Sequence, residues 1–385
     1  MAQVISWNCH GLVHNIDEVK NLIYQHMPAC FALQETYLHT SQNPNFHNYS
    51  LIRKDHESTV KISGGVALLV SHQYPYTIIN LHTSLQAVAV RIHISTLITI
   101  CTVYLPPRET LAQTSLSSLI NQLPTPFIVI GDFNGHSPLW GCTDNNRRGE
   151  QIESLISDFS LCLLNNGEHT YFHQPTKNFY AIDLAISTPS LVPLYNFWVS
   201  NDLHNSDHFP IFLSTTNQQN INTIHTIRRY IHDKADWAGF THLAEITRGM
   251  VQGEINTALA NITTTILNAV NATIPQTSGK RKNKKPWWNQ ECQEAKKKQR
   301  KAWDTFRRYP TTENLINFKR AKSFARKVRR RSQKESWVKY VSSISYNTPS
   351  KLVWKKAKRA MGLNTEYPIA CLTENGQTIS DIFDI

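Results

Sequence analysis

Apolar residues in the first half of the chain fall in short runs, each closed by a polar or acidic residue. Val4 to Trp7, Cys30 to Gln34, Gly65 to Ser71, Ala87 to Ile94, Leu97 to Tyr104, Phe127 to Ile130, Ile182 to Ser187, Phe197 to Ser200 and Ile211 to Leu213 predict buried strands. Between them, Asn15 to His26, Leu111 to Leu123 and Glu150 to Leu161 carry helical patterns. Several strands follow one another as adjacent pairs, without strict β-α-β alternation. The expected class is therefore α/β of the α+β type, two packed mixed sheets with helices outside, in preference to a doubly wound sheet.

The pattern changes after residue 216. Thr215 to Asn222 is rich in Gln and Asn and reads as a linker, placed at 217–229. Glu254 to Ala272 looks helical, and two long helical stretches follow, Asn289 to Tyr309 and Glu313 to Val341. In the last, Leu315, Phe318, Ala321, Phe324, Ala325 and Val328 recur at three- and four-residue spacing as an apolar stripe. The expected organisation is a compact unit over 1–216 and a mostly helical basic region over 230–385, with a loop at 275–286.

Charge sharpens this division. Residues 1–217 hold 9 Lys/Arg and 15 Asp/Glu, a net of −6, and residues 218–385 hold 31 and 13, a net of +18. Lys280 to Arg359 alone carry 27 Lys/Arg against 5 Asp/Glu. Such density predicts salt-sensitive, sequence-independent contact with nucleic acid. It includes the cluster Lys280, Arg281, Lys282, Lys284, Lys285, which also fits a nuclear localisation signal, and Arg329, Arg330, Arg331. Trp287 and Trp288 have the chemistry to stack on bases, although anchoring a helix is the commoner job of such residues. The 7 cysteines are widely spaced, with no Cys-x-x-Cys pair, so neither a zinc site nor a disulfide framework is expected. No apolar run reaches membrane-spanning length, and no cleavable signal is visible at the N-terminus. Nuclear localisation after cytoplasmic synthesis is the expectation.

Candidate chemistry collects at strand ends. Gly131-Asp132-Phe133-Asn134 closes an apolar run, Glu35 closes another, Asn8 a third, and Ser206-Asp207-His208 precedes the last. Asp132 can orient or deprotonate a water, with Asn134 beside it as support and phosphate donor. Glu35 suits a hard cation such as Mg²⁺. His208 among carboxylates has a raised pKa, and Asp183 is placed to fix its tautomer. Gln174-Pro175-Thr176-Lys177-Asn178, between Tyr171-Phe172 and Phe179-Tyr180, reads as a β-hairpin. Its tip suits a minor groove, and equally a packed surface hairpin.

The sequence resembles the endonuclease/exonuclease/phosphatase superfamily, and within it the endonuclease of non-LTR (LINE-type) retrotransposons of the jockey-like group. The resemblance is carried by Trp7-Asn8-Cys9-His10-Gly11, Gln34-Glu35-Thr36, Val103-Tyr104-Leu105-Pro106-Pro107, Gly131-Asp132-Phe133-Asn134 with His136 and Trp140-Gly141, and Arg148-Gly149. It continues through Leu164-Asn165-Asn166-Gly167, Thr170-Tyr171-Phe172, Ile182-Asp183-Leu184 and Ser206-Asp207-His208. It implies a four-layer αββα sandwich and Mg²⁺-dependent (or Mn²⁺-dependent) phosphodiester hydrolysis. Glu35 would be the principal metal ligand, with Asn8 and Asp207 near the metal. Asp132 would activate water with Asn134 as support, His208 with Asp183 would stabilise the transition state, and Tyr104 would contact the phosphate or leaving oxygen. Thr170, Ser206, Lys177, Asn178 and Arg148 would meet substrate.

More loosely, Lys285-Pro286-Trp287-Trp288, Glu291-Cys292, Ser336-Trp337-Tyr340 and Ser350-Lys351-Val353-Trp354-Lys355 resemble the connector that precedes the reverse transcriptase in such elements. No polymerase-type Asp-Asp pair occurs, so the chain reads as lacking that domain. The resemblance implies a DNA endonuclease that nicks a target duplex for primed reverse transcription, with the element RNA as a second partner and no membrane. Two alternatives share the same residues: an abasic-site nuclease or other phosphodiesterase or phosphatase of the superfamily, and a catalytically silent nucleic-acid-binding remnant.

Overall fold

The computed structural model describes residues 3–56, 63–216, 230–276, 286–346, 348–360, 372–374 and 377–379. The linker at 217–229 and the basic cluster Lys280 to Lys285 lie outside the described residues. The first part runs β1 (Gln3–Asn8), α1 (Leu12–His26), β2 (Cys30–Gln34), β3 (Tyr49–Lys54), β4 (Val66–Ser71), β5 (Tyr76–Ile79), β6 (Gln86–His93) and β7 (Leu97–Tyr104). It continues with α2 (Gln113–Asn121), β8 (Phe127–Asp132), α3 (Arg147–Asp158), β9 (Cys162–Leu163), β10 (Tyr171–His173), β11 (Asn178–Tyr180), β12 (Asp183–Ser187), β13 (Tyr195–Val199) and β14 (Ile211–Thr215).

Twelve of these strands form two mixed six-stranded sheets, ordered β13-β14-β1-β2-β4-β3 and β5-β6-β7-β8-β12-β9, and β10 pairs with β11 as a separate hairpin. In β2, Cys30 and Ala32 turn into the inter-sheet core with Val66, Leu68, Val90, Ile100 and Ile130, while Phe31 and Leu33 turn outward onto α1 with Val19 and Leu22. Both faces of the strand are covered, which is why the sequence shows a continuous apolar run instead of alternation. On the other side, α2 and α3 cover the second sheet through Leu116, Leu119, Ile152 and Leu155. Helix, sheet, sheet, helix is the expected four-layer order. The tilted edge strands β3 and β5 escaped the sequence pattern because neither buries a residue fully.

Parallel pairing decides where the chemistry goes. In the first sheet β1 runs parallel to β2, and in the second β7 runs parallel to β8. Each pair therefore ends at one edge, carrying Asn8 with Glu35 and Tyr104 with Asp132. β12 runs antiparallel to β8 and pairs Asp183 with Asp132, and β14 runs antiparallel to β1, so its leading residue His208 starts from the same edge. Gly131 (φ +155°) allows β8 to close on β7: a Cβ there would stand 2.0 Å from the Val103 carbonyl oxygen.

Beyond residue 230 the chain is helical: α4 (Trp237–Leu243), α5 (Arg248–Val251), α6 (Ile255–Thr273), α7 (Gln290–Arg308), α8 (Thr312–Ser342) and α9 (Ser350–Ala360), then the short pair β15 (Leu372–Glu374) and β16 (Gln377–Ile379). α7 and α8 form an antiparallel hairpin capped by the Asn289 and Thr311 side chains. The hairpin docks on the first part. Trp303, Phe306, Leu315 and Phe318 share a buried cluster with Phe172, Leu203 and Phe209, and Trp303 Nε1 donates to the Asn201 carbonyl at 2.9 Å. Of the predicted stripe, Leu315, Phe318 and Val328 are buried, whereas Phe324 is exposed.

Candidate active site

One amide organises the strand-end groups. Asn8 is fully buried, and its Nδ2 donates to Glu35 Oε1 at 3.1 Å and to Asp132 Oδ2 at 2.9 Å, with His208 Nε2 at 3.4 Å. Three candidate residues from three separate strand ends thus meet a single side chain. Ser206 Oγ donates to the Asn8 carbonyl at 2.8 Å and accepts from the His208 backbone N–H, so the Ser206–His208 turn is fastened to β1.

Glu35 is held as an anion. Burial disfavours its charge, yet hydrogen bonds from His10, Tyr37 and Asn8 outweigh that and bring its pKa to about 2. Tyr104 Oη donates to Glu35 Oε1 at 2.9 Å and Tyr37 Oη to Oε2, while His10 Nδ1 lies 3.3 Å from Oε2. The Glu35 contact in turn raises the His10 pKa. Residues His10, Glu35 and Tyr37 all have positive φ, which folds the loops after β1 and β2 back over the site.

Asp132 is buried, and burial raises its pKa to about 7 against the opposing pull of His208. Its Oδ1 accepts from the Asn134 N–H at 3.1 Å, and Asn134 Nδ2 donates to the Leu105 carbonyl at 3.2 Å, so Asn134 fixes the loop as well as the carboxylate. His208 Nδ1 sits 2.9 Å from Asp183 Oδ2, and Nε2 3.9 Å from Asp132 Oδ2. Burial opposes the imidazolium, but Asp183 and Asp132 raise its pKa to about 10. The Tyr171 ring lies 4.6 Å from the imidazole.

Two carboxylate groupings have the composition of a metal site. Asp132, Asp183 and His208 cluster within 4.8 Å, but a protonated His208 already joins those two carboxylates and has no lone pair to give. Glu35 and Asp207 fit better. Their side chains are 13% and 40% exposed, open at the lip of the site, and the His10 ring stands 3.3 Å and 3.8 Å from them. Two carboxylates at an open lip suit a hard divalent cation that keeps several waters.

Thr170, Arg148 and Ser206, expected to meet substrate, are turned inward onto main-chain groups instead. Thr170 is fully buried, and its hydroxyl accepts from the Ile182 and Asp183 N–H groups, positioning Asp183. Arg148 is 9% exposed and donates to the carbonyls of Leu105, Pro106 and Glu109, tying down the loop after β7. Ser206 serves the turn described above. Of the hairpin tip, Asn178 is exposed, while Lys177 Nζ donates to Thr312 Oγ1 at 2.6 Å. In the basic region, Arg329 is paired with Glu18 at 2.7 Å and Arg331 with Glu291, leaving Arg330 exposed. His10, Tyr37 and Tyr171 join the site without having been assigned a role from sequence. The adjacency of His10 to Asn8 and of Tyr37 to Glu35 was the available signal.

Residues 98–212 match the family described as "Endonuclease-reverse transcriptase". The chain is 25% identical over 209 residues to the RNA-directed DNA polymerase from mobile element jockey of Drosophila melanogaster, covering 53% of this chain and 23% of that protein. It is 25% identical over 216 residues to the probable RNA-directed DNA polymerase from transposon X-element of the same organism, covering 55% and 24%. The chain thus spans about a quarter of the length of the curated relatives it matches. Among solved structures, the endonuclease domain of TRAS1, a telomere-specific non-LTR retrotransposon, aligns with TM-score 0.48 and 20% identity, over 56% of this chain and 97% of that one. An AP endonuclease from Archaeoglobus fulgidus aligns with TM-score 0.44 and 15% identity, over 56% and 100%.

Proposed function

We infer that the first part of this chain is the endonuclease of a non-LTR retrotransposon, of the endonuclease/exonuclease/phosphatase superfamily, and that it cuts one strand of duplex DNA by Mg²⁺-dependent phosphodiester hydrolysis. The observation that carries this reading is the convergence of Glu35, Asp132 and His208 on the single amide of Asn8. Asp132 takes the proton from the attacking water, with its orientation set by Asn8 Nδ2 and the Asn134 N–H. His208, kept as an imidazolium by Asp183, directs Nε2–H toward the charge that develops on a non-bridging oxygen. Tyr104, whose pKa burial raises, stays protonated and offers its hydroxyl to the phosphoryl or leaving oxygen. Glu35 and Asp207 would hold Mg²⁺, which when bound supplies Lewis-acid stabilisation of phosphoryl oxygens.

The nick is proposed to leave a 3′-hydroxyl usable as a primer, a role supported by the similarity to the two mobile-element polymerases. End-labelled duplex incubated with the full chain and Mg²⁺ tests this, followed by extension with a DNA polymerase. Extendable nicks are expected. Cleavage confined to oligonucleotides carrying an abasic site would instead favour the repair-nuclease alternative.

A further inference from the structure

The acidic first part and the basic second part meet through the α7–α8 hairpin, and the cations of that hairpin fall into two sets. On its docking side two of them are matched to carboxylates of the first part: Lys296 to Asp202 at 2.9 Å and Arg329 to Glu18 at 2.7 Å. At the hairpin turn they are not. Arg307 Nη1 donates to the neutral Asn201 side chain at 2.9 Å, and its guanidinium lies 5.7 Å from the ring of Phe209, the residue after His208. Lys177, at the tip between β10 and β11, donates to the Thr312 hydroxyl at the start of α8. Among the described residues neither cation has a carboxylate within salt-bridge distance.

Both cations are fixed in place. The β10–β11 hairpin and the α7–α8 turn share the buried cluster of Phe172, Phe209, Trp303 and Phe306, in which Phe306 is fully buried. Phe172 N–H donates to the Asp207 carbonyl at 2.8 Å and Phe209 N–H to the Thr170 carbonyl at 2.7 Å, so this cluster is continuous with the backbone that carries Asp207 and His208. An enzyme part with a net charge of −6 repels a polyanion, and positive charge held beside the reacting group offsets that repulsion. Two uncompensated cations on the rim that this cluster supports meet this need.

We propose that Arg307 and Lys177 form a phosphate clamp for duplex DNA on the rim made jointly by the α7–α8 turn and the β10–β11 hairpin. This rests on the nuclease reading for the identity of the polyanion. The clamp makes the helical hairpin a working part of the nuclease surface, distinct from a general basic tail. Phosphate contacts of this kind fix position without reading sequence.

The test is fluorescence anisotropy of the full chain with a labelled duplex in EDTA, over a series of salt concentrations. Three forms are compared: wild type, Arg307→Gln/Lys177→Gln, and Lys334→Gln/Lys339→Gln, which removes the same charge from exposed positions on α8. Loss of two phosphate contacts should reduce the slope of log K against log salt by about 1.8. That reduction is expected for Arg307→Gln/Lys177→Gln and not for the matched control. Arg307→Lys, which keeps the charge but not the fork, should restore most of the slope in the Lys177 background. Equal slopes for wild type and the clamp variant, or an equal loss in the control, would overturn the proposal. Because binding is read without cleavage, a wild type that binds steeply but never nicks would refute the nuclease reading and leave the clamp intact.

Discussion

Asn8 has no charge to contribute, yet its amide reaches Glu35 and Asp132 and lies within 3.4 Å of His208. Replacing it with Ala leaves two carboxylates with fewer donors in a buried setting, so Asn8→Ala should reduce nicking by about 10²-fold or more. Asn8→Asp should be worse at neutral pH, because it adds a third negative charge to the group. Single-turnover rates on a nicked-plasmid assay measure both. For the metal, Glu35→Gln should raise the Mg²⁺ concentration giving half-maximal nicking by about tenfold or more, since it removes an ionised oxygen from the pair with Asp207. An unchanged metal titration would reassign the site to the deeper Asp132 and Asp183 group.

The strand-end positions of Asn8, Glu35, Asp132, Asn134, Asp183 and His208 were legible in sequence because each closes or opens an apolar run. Their convergence on one edge follows from parallel pairing, which sequence alone does not specify. His10 and Tyr37 were less visible: they reach Glu35 only because the backbone turns through positive φ at His10, Glu35 and Tyr37. Thr170 and Arg148 were harder to read for the opposite reason, since a polar residue beside candidate site residues serves the backbone as readily as a substrate. Their hydrogen bonds go to main-chain groups next to the candidate catalytic residues Asp183 and Tyr104.

At the scale of elements, Gly131 and the α1–α8 contact are the critical joints. Gly131→Ala would drive a methyl into the Val103 carbonyl at a backbone conformation that side chains avoid. A loss of about 2 kcal/mol or more is expected, visible as a fall in Tm of at least several degrees. Trp303→Ala would empty the cluster between the hairpin and β10–β11, costing about 3–5 kcal/mol if the two parts unfold together. A second, earlier melting transition would show that they do not.

Glu18 on α1 meets His204 and, from α8, Arg329. Burial opposes its charge, but His204, Lys296 and Arg329 together lower its pKa well below the ordinary carboxylate range. A depressed carboxyl stabilises the fold fully above its unfolded pKa of about 4.3, and that stabilisation fades as pH falls toward the folded value. The stability of wild type should therefore drop below about pH 4.3 more steeply than that of Glu18→Gln. Denaturant titrations at several acidic pH values measure it, and parallel curves would contradict the assignment. Helices α6, α7 and α8 were legible from periodicity. Their docking was not, because Trp303 and Phe306 stand among lysines and arginines that look like a solvated face.

For the whole molecule, the charge division and the hairpin packing belong to one arrangement. The first part brings carboxylates to a sheet edge for chemistry and is left acidic. The second part brings cations, spending some on docking and leaving others beside the site. The sequence shows the imbalance of −6 against +18 directly, whereas only the fold shows which cations are neutralised by carboxylates.

The central claim is that the buried Asp132 carboxylate, set by Asn8 and Asn134, activates water for phosphodiester cleavage. Supercoiled plasmid incubated with Mg²⁺ and the full chain, wild type against Asp132→Ala, tests it most directly. The account predicts conversion to open circles by wild type and a rate lower by about 10²-fold or more for Asp132→Ala, with duplex binding retained. Equal nicking by the two proteins would contradict it.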